Sequence, residues 1–201
     1  MSSKKAAKKN KKSQGGGSDT AARRAVVLRT AAARGDCGTM ERLIEAGLDV
    51  NAMSEMEIMG GQKTVQVTAL HAAVQGGSLA ATRLLLERRA DPTATNNYDD
   101  SPLHVAASSG ALAVVKLLVG NGAAPLAQNR FGATALDVAL REDASQMARP
   151  EEHEQIISYL KEEAKPLAEL PPAERAIRKV RAAKLAERQQ QEALQRMPNL
   201  I

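Results

Sequence analysis

Imidazoles at a fixed spacing are the first residues to test for chemistry, and this chain repeats one. Leu70-His71-Ala72-Ala73 returns 33 residues later as Leu103-His104-Val105-Ala106. Histidine is the commonest metal ligand and acid–base group. No third ligand recurs with His71 and His104 at a binding spacing, so no metal site and no cofactor are expected. His153 lies in the acidic run Pro150-Glu151-Glu152-His153-Glu154 and reads as a solvated surface residue. Cys37, two residues after Gly35, has no partnering His motif, which points to small structural packing rather than a nucleophile. Gly15-Gly16-Gly17 follows no strand and precedes no Lys-Ser/Thr pair; it reads as a flexible linker, not a phosphate loop. With no supported carboxylate pair and no serine triad signature, an enzyme is not expected.

A second chemistry on offer is electrostatic. Lys4, Lys5, Lys8, Lys9, Lys11 and Lys12 fall in a segment without large apolar residues, which has nothing to build a core from and is expected to be disordered alone. Such a cluster binds nucleic-acid phosphates by counterion release, non-specifically and with steep salt dependence. It has no interleaved aromatics on which bases could stack. RNA within a ribonucleoprotein is one reading of it, and nuclear import is another. The far end is basic as well, through Arg175, Arg178, Lys179, Arg181, Lys184 and Arg188. Residues 1–24 carry a net +7 and 172–201 a net +4, whereas the stretch between carries −6. An acidic body thus has two basic ends, a contrast hidden by the overall +5.

The elements that position these residues follow from the period. The Leu-His motif returns a third time, weakened, as Leu136-Asp137-Val138-Ala139. A fixed repeat near 33 residues means a stacked solenoid in which each unit contacts only its neighbours, and its extended surface favours a protein partner over a small substrate. The 201 residues are 43% hydrophobic, with no Trp, one Phe and two Tyr, so the core has to be built from small aliphatic side chains on closely spaced short helices. One Cys excludes an internal disulfide framework and fits a reducing compartment, cytoplasmic or nuclear. No apolar run approaches the roughly 20 residues a membrane span requires, and the first residues lack a secretory signal's apolar stretch.

Four units align, starting near Val27, Thr68, Ser101 and Thr134. Thr68, Ser101 and Thr134 are good N-cap residues, Pro102 sits where a missing N–H costs nothing, and Gly77 and Gly110 suit the left-handed turn ending a first helix. Val114, Leu117 and Leu118 give the second helix of the third unit an apolar face. Thr68-Ala69-Leu70-His71 through Gly77 to Leu84-Leu85-Leu86 and Ala90-Asp91, and Ser101-Pro102-Leu103-His104 through Gly110 to Leu117-Leu118 and Gly122-Ala123, together resemble the ankyrin repeat.

The resemblance covers about residues 25–165 and implies an all-α class: an ankyrin-repeat solenoid of stacked helix-turn-helix units with β-hairpin fingers. Its repeats lie near 25–67, 68–100, 101–133 and 134–165. A disordered basic tail over 1–24 precedes them, and a linker with a basic C-terminal helix follows over 166–201. The terminal units are degenerate. Arg29 replaces the histidine in the first, which fits a solvated cap, while Asp137 and Asp143 replace the histidine and the turn glycine in the fourth, with extra residues around Arg149-Pro150. The resemblance also implies that His71 and His104 hold neighbouring loops by hydrogen bonds. Arg89 and Asp99 stand where the family usually has glycine, which leaves the local turn type open.

Leu28 to Leu70 spans 42 residues instead of 33, so about nine extra lie within Met53 to Val67. Gly60-Gly61 flanked by Ile58, Val65 and Val67 predicts a lengthened hairpin finger. Tyr98 and Phe131 each precede the motif leucine by five residues, as does Val65, which predicts an apolar column along successive fingertips. The family's usual contact surface is this finger region with the exposed side of the first helices. Tyr98, Phe131 and Val65 are therefore the expected anchors, with Asn97, Asp99, Asp100 and Arg130 as a polar rim. Packing of the rings on each other is the competing reading. Met53, Met56 and Met59, with Ile58, add an adaptable strip that either meets the partner or folds back on the first unit.

The function expected is a protein-interaction adaptor or scaffold that uses the fingertips and the concave face, as a monomer or a subunit of a hetero-complex. Its alternative is a ribonucleoprotein subunit or assembly factor tethered by the basic ends. After Pro171-Pro172, strong helix formers continue from Ala173 to Arg196 with a thin stripe at Ile177, Val180 and Ala183 and then Leu194 and Met197. Such a helix is not stable alone; it docks, coils with another helix or stays solvated.

Overall fold

The computed structural model describes residues 16–58, 63–141 and 150–165, with positions 169, 173, 176, 177, 180, 183, 184 and 187 beyond them. Two short strands and eight helices run along the described chain. They are α1 (Gly16–Arg34), α2 (Cys37–Glu45), β1 (Ser54–Ile58), β2 (Lys63–Val67), α3 (Ala69–Gln75), α4 (Leu79–Glu87), α5 (Pro102–Ser108), α6 (Leu112–Gly120), α7 (Ala135–Arg141) and α8 (Pro150–Ala164).

Helices of seven or nine residues do not hold themselves together in water; here each is held by its neighbours in the stack. The first helices α1, α3, α5 and α7 pack in one row and the second helices α2, α4, α6 and α8 in another. A continuous core runs between the rows, made of Leu28, Leu70, Leu85, Leu103, Leu118 and Ile156 and many alanines. Small side chains permit close approach, and Gly76 marks its limit. A Cβ there would lie 2.1 Å from the Ala33 carbonyl oxygen of α1.

The helix reversals form as the glycines predict. Gly77 and Gly110 adopt φ of 67° and 71°, and the Ser78 N–H returns to the Ala73 carbonyl at 3.0 Å. Arg89 (φ 67°) and Asp99 (φ 60°) take the left-handed conformation despite their Cβ atoms, as Gly122 and Gly132 do one unit later. The turn type thus survives both replacements. The insertion forms the expected hairpin, antiparallel with Ser54 opposite Val67, Met56 opposite Val65 and Ile58 opposite Lys63.

Several expectations need correction. Residues 16–24, expected within a disordered tail, are helical, because α1 begins at Gly16 and includes two of the three glycines read as a linker. Ala25 and Leu28 are buried on that helix, and the helix formers Ala21, Ala22, Arg23 and Arg24 precede them. Leu118 is fully buried, whereas Leu117 is half-buried beside α4, so the apolar face of α6 is rotated from the one expected. Arg29 is half-buried, with its Nε shielded from solvent. His153 is not a surface residue. α8 turns it onto α7, where it is 1% exposed and its Nε2–H donates to the Ala139 carbonyl at 2.7 Å. Acidic neighbours at 151, 152 and 154 do not determine which face of the helix the ring takes.

Candidate partner-binding surface

The ladder that holds the fingers starts from the two histidines. His71 is buried, and burial pushes its pKa down, against the hydrogen bond to Asp100 that pushes it up. Its Nε2 lies 3.0 Å from the Asp100 carbonyl oxygen. A carbonyl only accepts, so Nε2 carries the proton and Nδ1 accepts from the Thr68 hydroxyl at 2.9 Å and, more weakly, from the Thr68 N–H at 3.4 Å. His104 repeats this with Ser101 at 2.8 Å and the Ala133 carbonyl at 3.1 Å. Each ring therefore ties a helix N-terminus to the base of the next finger. Among the described residues no cluster of His, Cys, Asp or Glu is arranged to hold a metal ion.

At the tips, one asparagine per finger sets the turn. The Asn96 Oδ1 accepts from the Tyr98 N–H at 2.7 Å and the Asp100 N–H at 3.0 Å; the Asn129 Oδ1 accepts from the Phe131 N–H at 3.0 Å and the Ala133 N–H at 3.1 Å. This is the Asx turn that asparagine favours. The sequence reading missed both residues, although their 33-residue spacing was visible. The fingers are also joined sideways. Asn97 places its carboxamide on β2, accepting from the Gln66 N–H at 3.3 Å and donating to the Thr64 carbonyl at 3.4 Å. The Asn129 Nδ2 donates to Asp100 Oδ1 at 2.8 Å, and the Arg130 N–H to the Tyr98 carbonyl at 3.1 Å. Hairpin and fingers make one hydrogen-bonded ribbon.

On this ribbon the expected column breaks up. Val65 is 4% exposed, since strand alternation turns it and Val67 inward with Ser54 and leaves Glu55, Glu57, Thr64 and Gln66 outside. Tyr98 is half-buried under the Arg130 guanidinium, 5.4 Å from the ring centre. Phe131 alone of the three stands in solvent, 70% exposed. Of the expected rim, Asp99 and Arg130 are exposed, Asp100 is half-buried in its bond to Asn129, and Asn97 is exposed but occupied with β2. Met56 is half-buried opposite Val65, and Met53 is exposed beside the start of α1. The Ile58 side chain and Met59 lie outside the described residues, as do Lys4, Lys5, Lys8, Lys9, Lys11, Lys12, Arg178, Lys179 and Arg181.

No described helix is long and apolar enough to cross a membrane. A family model of ankyrin repeats, in three copies, matches residues 28–129, which spans the first three units of the stack. No curated protein matches the chain. With the His-capped helix pairs, the left-handed reversals and the joined fingers, this match assigns the family: the chain belongs to the ankyrin-repeat proteins, whose repeats generally serve as protein–protein interaction modules and are typically not enzymes.

Proposed function

We propose that this protein is an adaptor that grips a protein partner at the rim of its second and third fingers, with Phe131 as the anchor. The observation that carries the reading is the exposure of Phe131 on a turn already fixed by Asn129. An aromatic ring carried on a backbone fixed before contact desolvates a large area at little entropy cost, and anchors of this kind are worth roughly 2 kcal/mol or more on truncation. The Arg130 guanidinium, stacked on Tyr98, and the exposed Asp99 carboxylate flank it with charges of both signs. The outward Glu55 and Glu57 of the hairpin extend the surface along the ribbon, where a partner with basic side chains is favoured.

The test is co-purification of the tagged full-length protein with and without nuclease, repeated for Phe131→Ala. Partners that persist after nuclease and fall away with Phe131→Ala support the adaptor, provided the variant's melting temperature is unchanged. Partners lost to nuclease but indifferent to Phe131→Ala overturn it in favour of the second reading, a ribonucleoprotein subunit tethered by its lysine-rich and arginine-rich ends.

A further inference from the structure

Among the described residues the stack leaves one stacking position bare. Counting from the motif leucine, Leu140 of α7 occupies the place of Ala32, Val74 and Ala107 in the preceding units. Those three are fully buried, whereas Leu140 is 53% exposed. The reason is geometric: each earlier position is covered by the following first helix, and among the described residues no first helix follows α7. A leucine at the one uncovered place is the largest side chain of the series. A bare end also exposes the core to water, which terminal units of solenoids normally avoid with a polar outer face.

The chain continues for 36 residues after Lys165. Its described positions Ala173, Ala176, Ile177, Val180 and Ala183 are helical and exposed, and Ile177 and Val180 are 54% and 55% exposed on a shared stripe. We infer that residues 173–187 form a detachable helical cap of this chain's own end face, seating Ile177 and Val180 over Leu140. Charge favours this occupant. Between 173 and 188 the sequence holds six Lys/Arg and two Glu, whereas α8, which shares the end unit, holds five Glu and one Lys. Reach favours it too. Residues 165–172 span up to about 26 Å when extended, against the roughly 22 Å length of α8, so the segment is long enough to return along α8 to α7 once the turn at residue 169 opens. The seated area is small, so the cap opens readily and frees the same stripe for other contacts.

The test uses the full-length chain with its single cysteine replaced, Cys37→Ser, and Leu140→Cys with Ile177→Cys added. Oxidation of the dilute protein is expected to give an intramolecular disulfide, read as a monomer that is about two mass units lighter. Val180→Cys in place of Ile177→Cys covers an unfavourable cysteine geometry. In parallel, the Ile177→Glu, Val180→Glu protein is expected to exchange the amides of residues 135–141 about tenfold faster than the parent while exchange in α3 and α5 stays unchanged. A disulfide formed only between two chains shows that a second copy covers the face and overturns the inference. No disulfide with either cysteine pair, together with unchanged exchange in α7, overturns it as well.

Discussion

The third and fourth units carry the same cap with a different residue in it. In the third, His104 receives Ser101 at Nδ1 and donates from Nε2 to the Ala133 carbonyl of the next finger. In the fourth, the Asp137 carboxylate accepts from the Thr134 N–H at 2.9 Å and the Thr134 hydroxyl at 2.7 Å, and these bonds hold its pKa below the usual carboxylate value. Both residues close a helix N-terminus. Only imidazole has a second polar atom on its far side, a donor, with which to hold the next finger. Among the described residues Asp137 caps its own helix and links to no finger beyond it. The substitution is what a last unit requires, and it distinguishes an end from an interior more directly than sequence degeneracy does.

The contrast between interior and end should show first in packing. Leu103 is fully buried, while Leu136, at the same motif position, is only half-buried. Leu103→Ala is expected to cost about 2–5 kcal/mol in urea unfolding. Leu136→Ala is expected to cost at least about 1 kcal/mol less; equal losses would mean that the end unit is packed like the middle.

Exchanging the caps should come next. His104→Asp keeps a cap acceptor but strands the Ala133 carbonyl, for an expected loss of about 1–3 kcal/mol. Asp137→His gives the end unit a donor with no finger to receive it, and its stability is expected to change by less than about 0.5 kcal/mol. A substantial gain from Asp137→His would show that the fourth unit has a forward acceptor after all.

A pH titration sharpens the same comparison. Burial lowers the pKa of His71 below the ordinary 6.5, so the native state prefers the neutral ring. Stability from this site is therefore complete above 6.5, and it falls as acid protonates the unfolded chain first. The Asp137 contribution lies lower. Its folded pKa is depressed, so its share is present above the ordinary 3.8 and is lost below that as pH falls through the folded value. His71→Gln should flatten the first window and leave the second, as read by melting temperature against pH.

A gain, not a loss, is expected at Arg89, where a side chain occupies the left-handed position that Gly122 fills one unit on. Arg89→Gly relieves the Cβ penalty but gives back backbone entropy, for a net gain of about 0.5 kcal/mol. A loss instead would show that the Arg89 side chain contributes more than its backbone strain costs.

The sequence by itself determined the repeat, the caps, the helix reversals and the long hairpin. Each of these is written in local chemistry: a hydroxyl before Leu-His, a glycine at a left-handed turn, an excess of residues at one junction. What only the tertiary structure decided was which side chains meet solvent. Val65, Tyr98 and Phe131 share one register, yet the hairpin buries the first, a neighbouring guanidinium covers the second and only the third stands free. His153 is surrounded in sequence by glutamates but in space by α7. Burial is a property of a residue's neighbours in three dimensions, and in a solenoid those neighbours belong to other units about 30 residues away, so position within the repeat does not specify it.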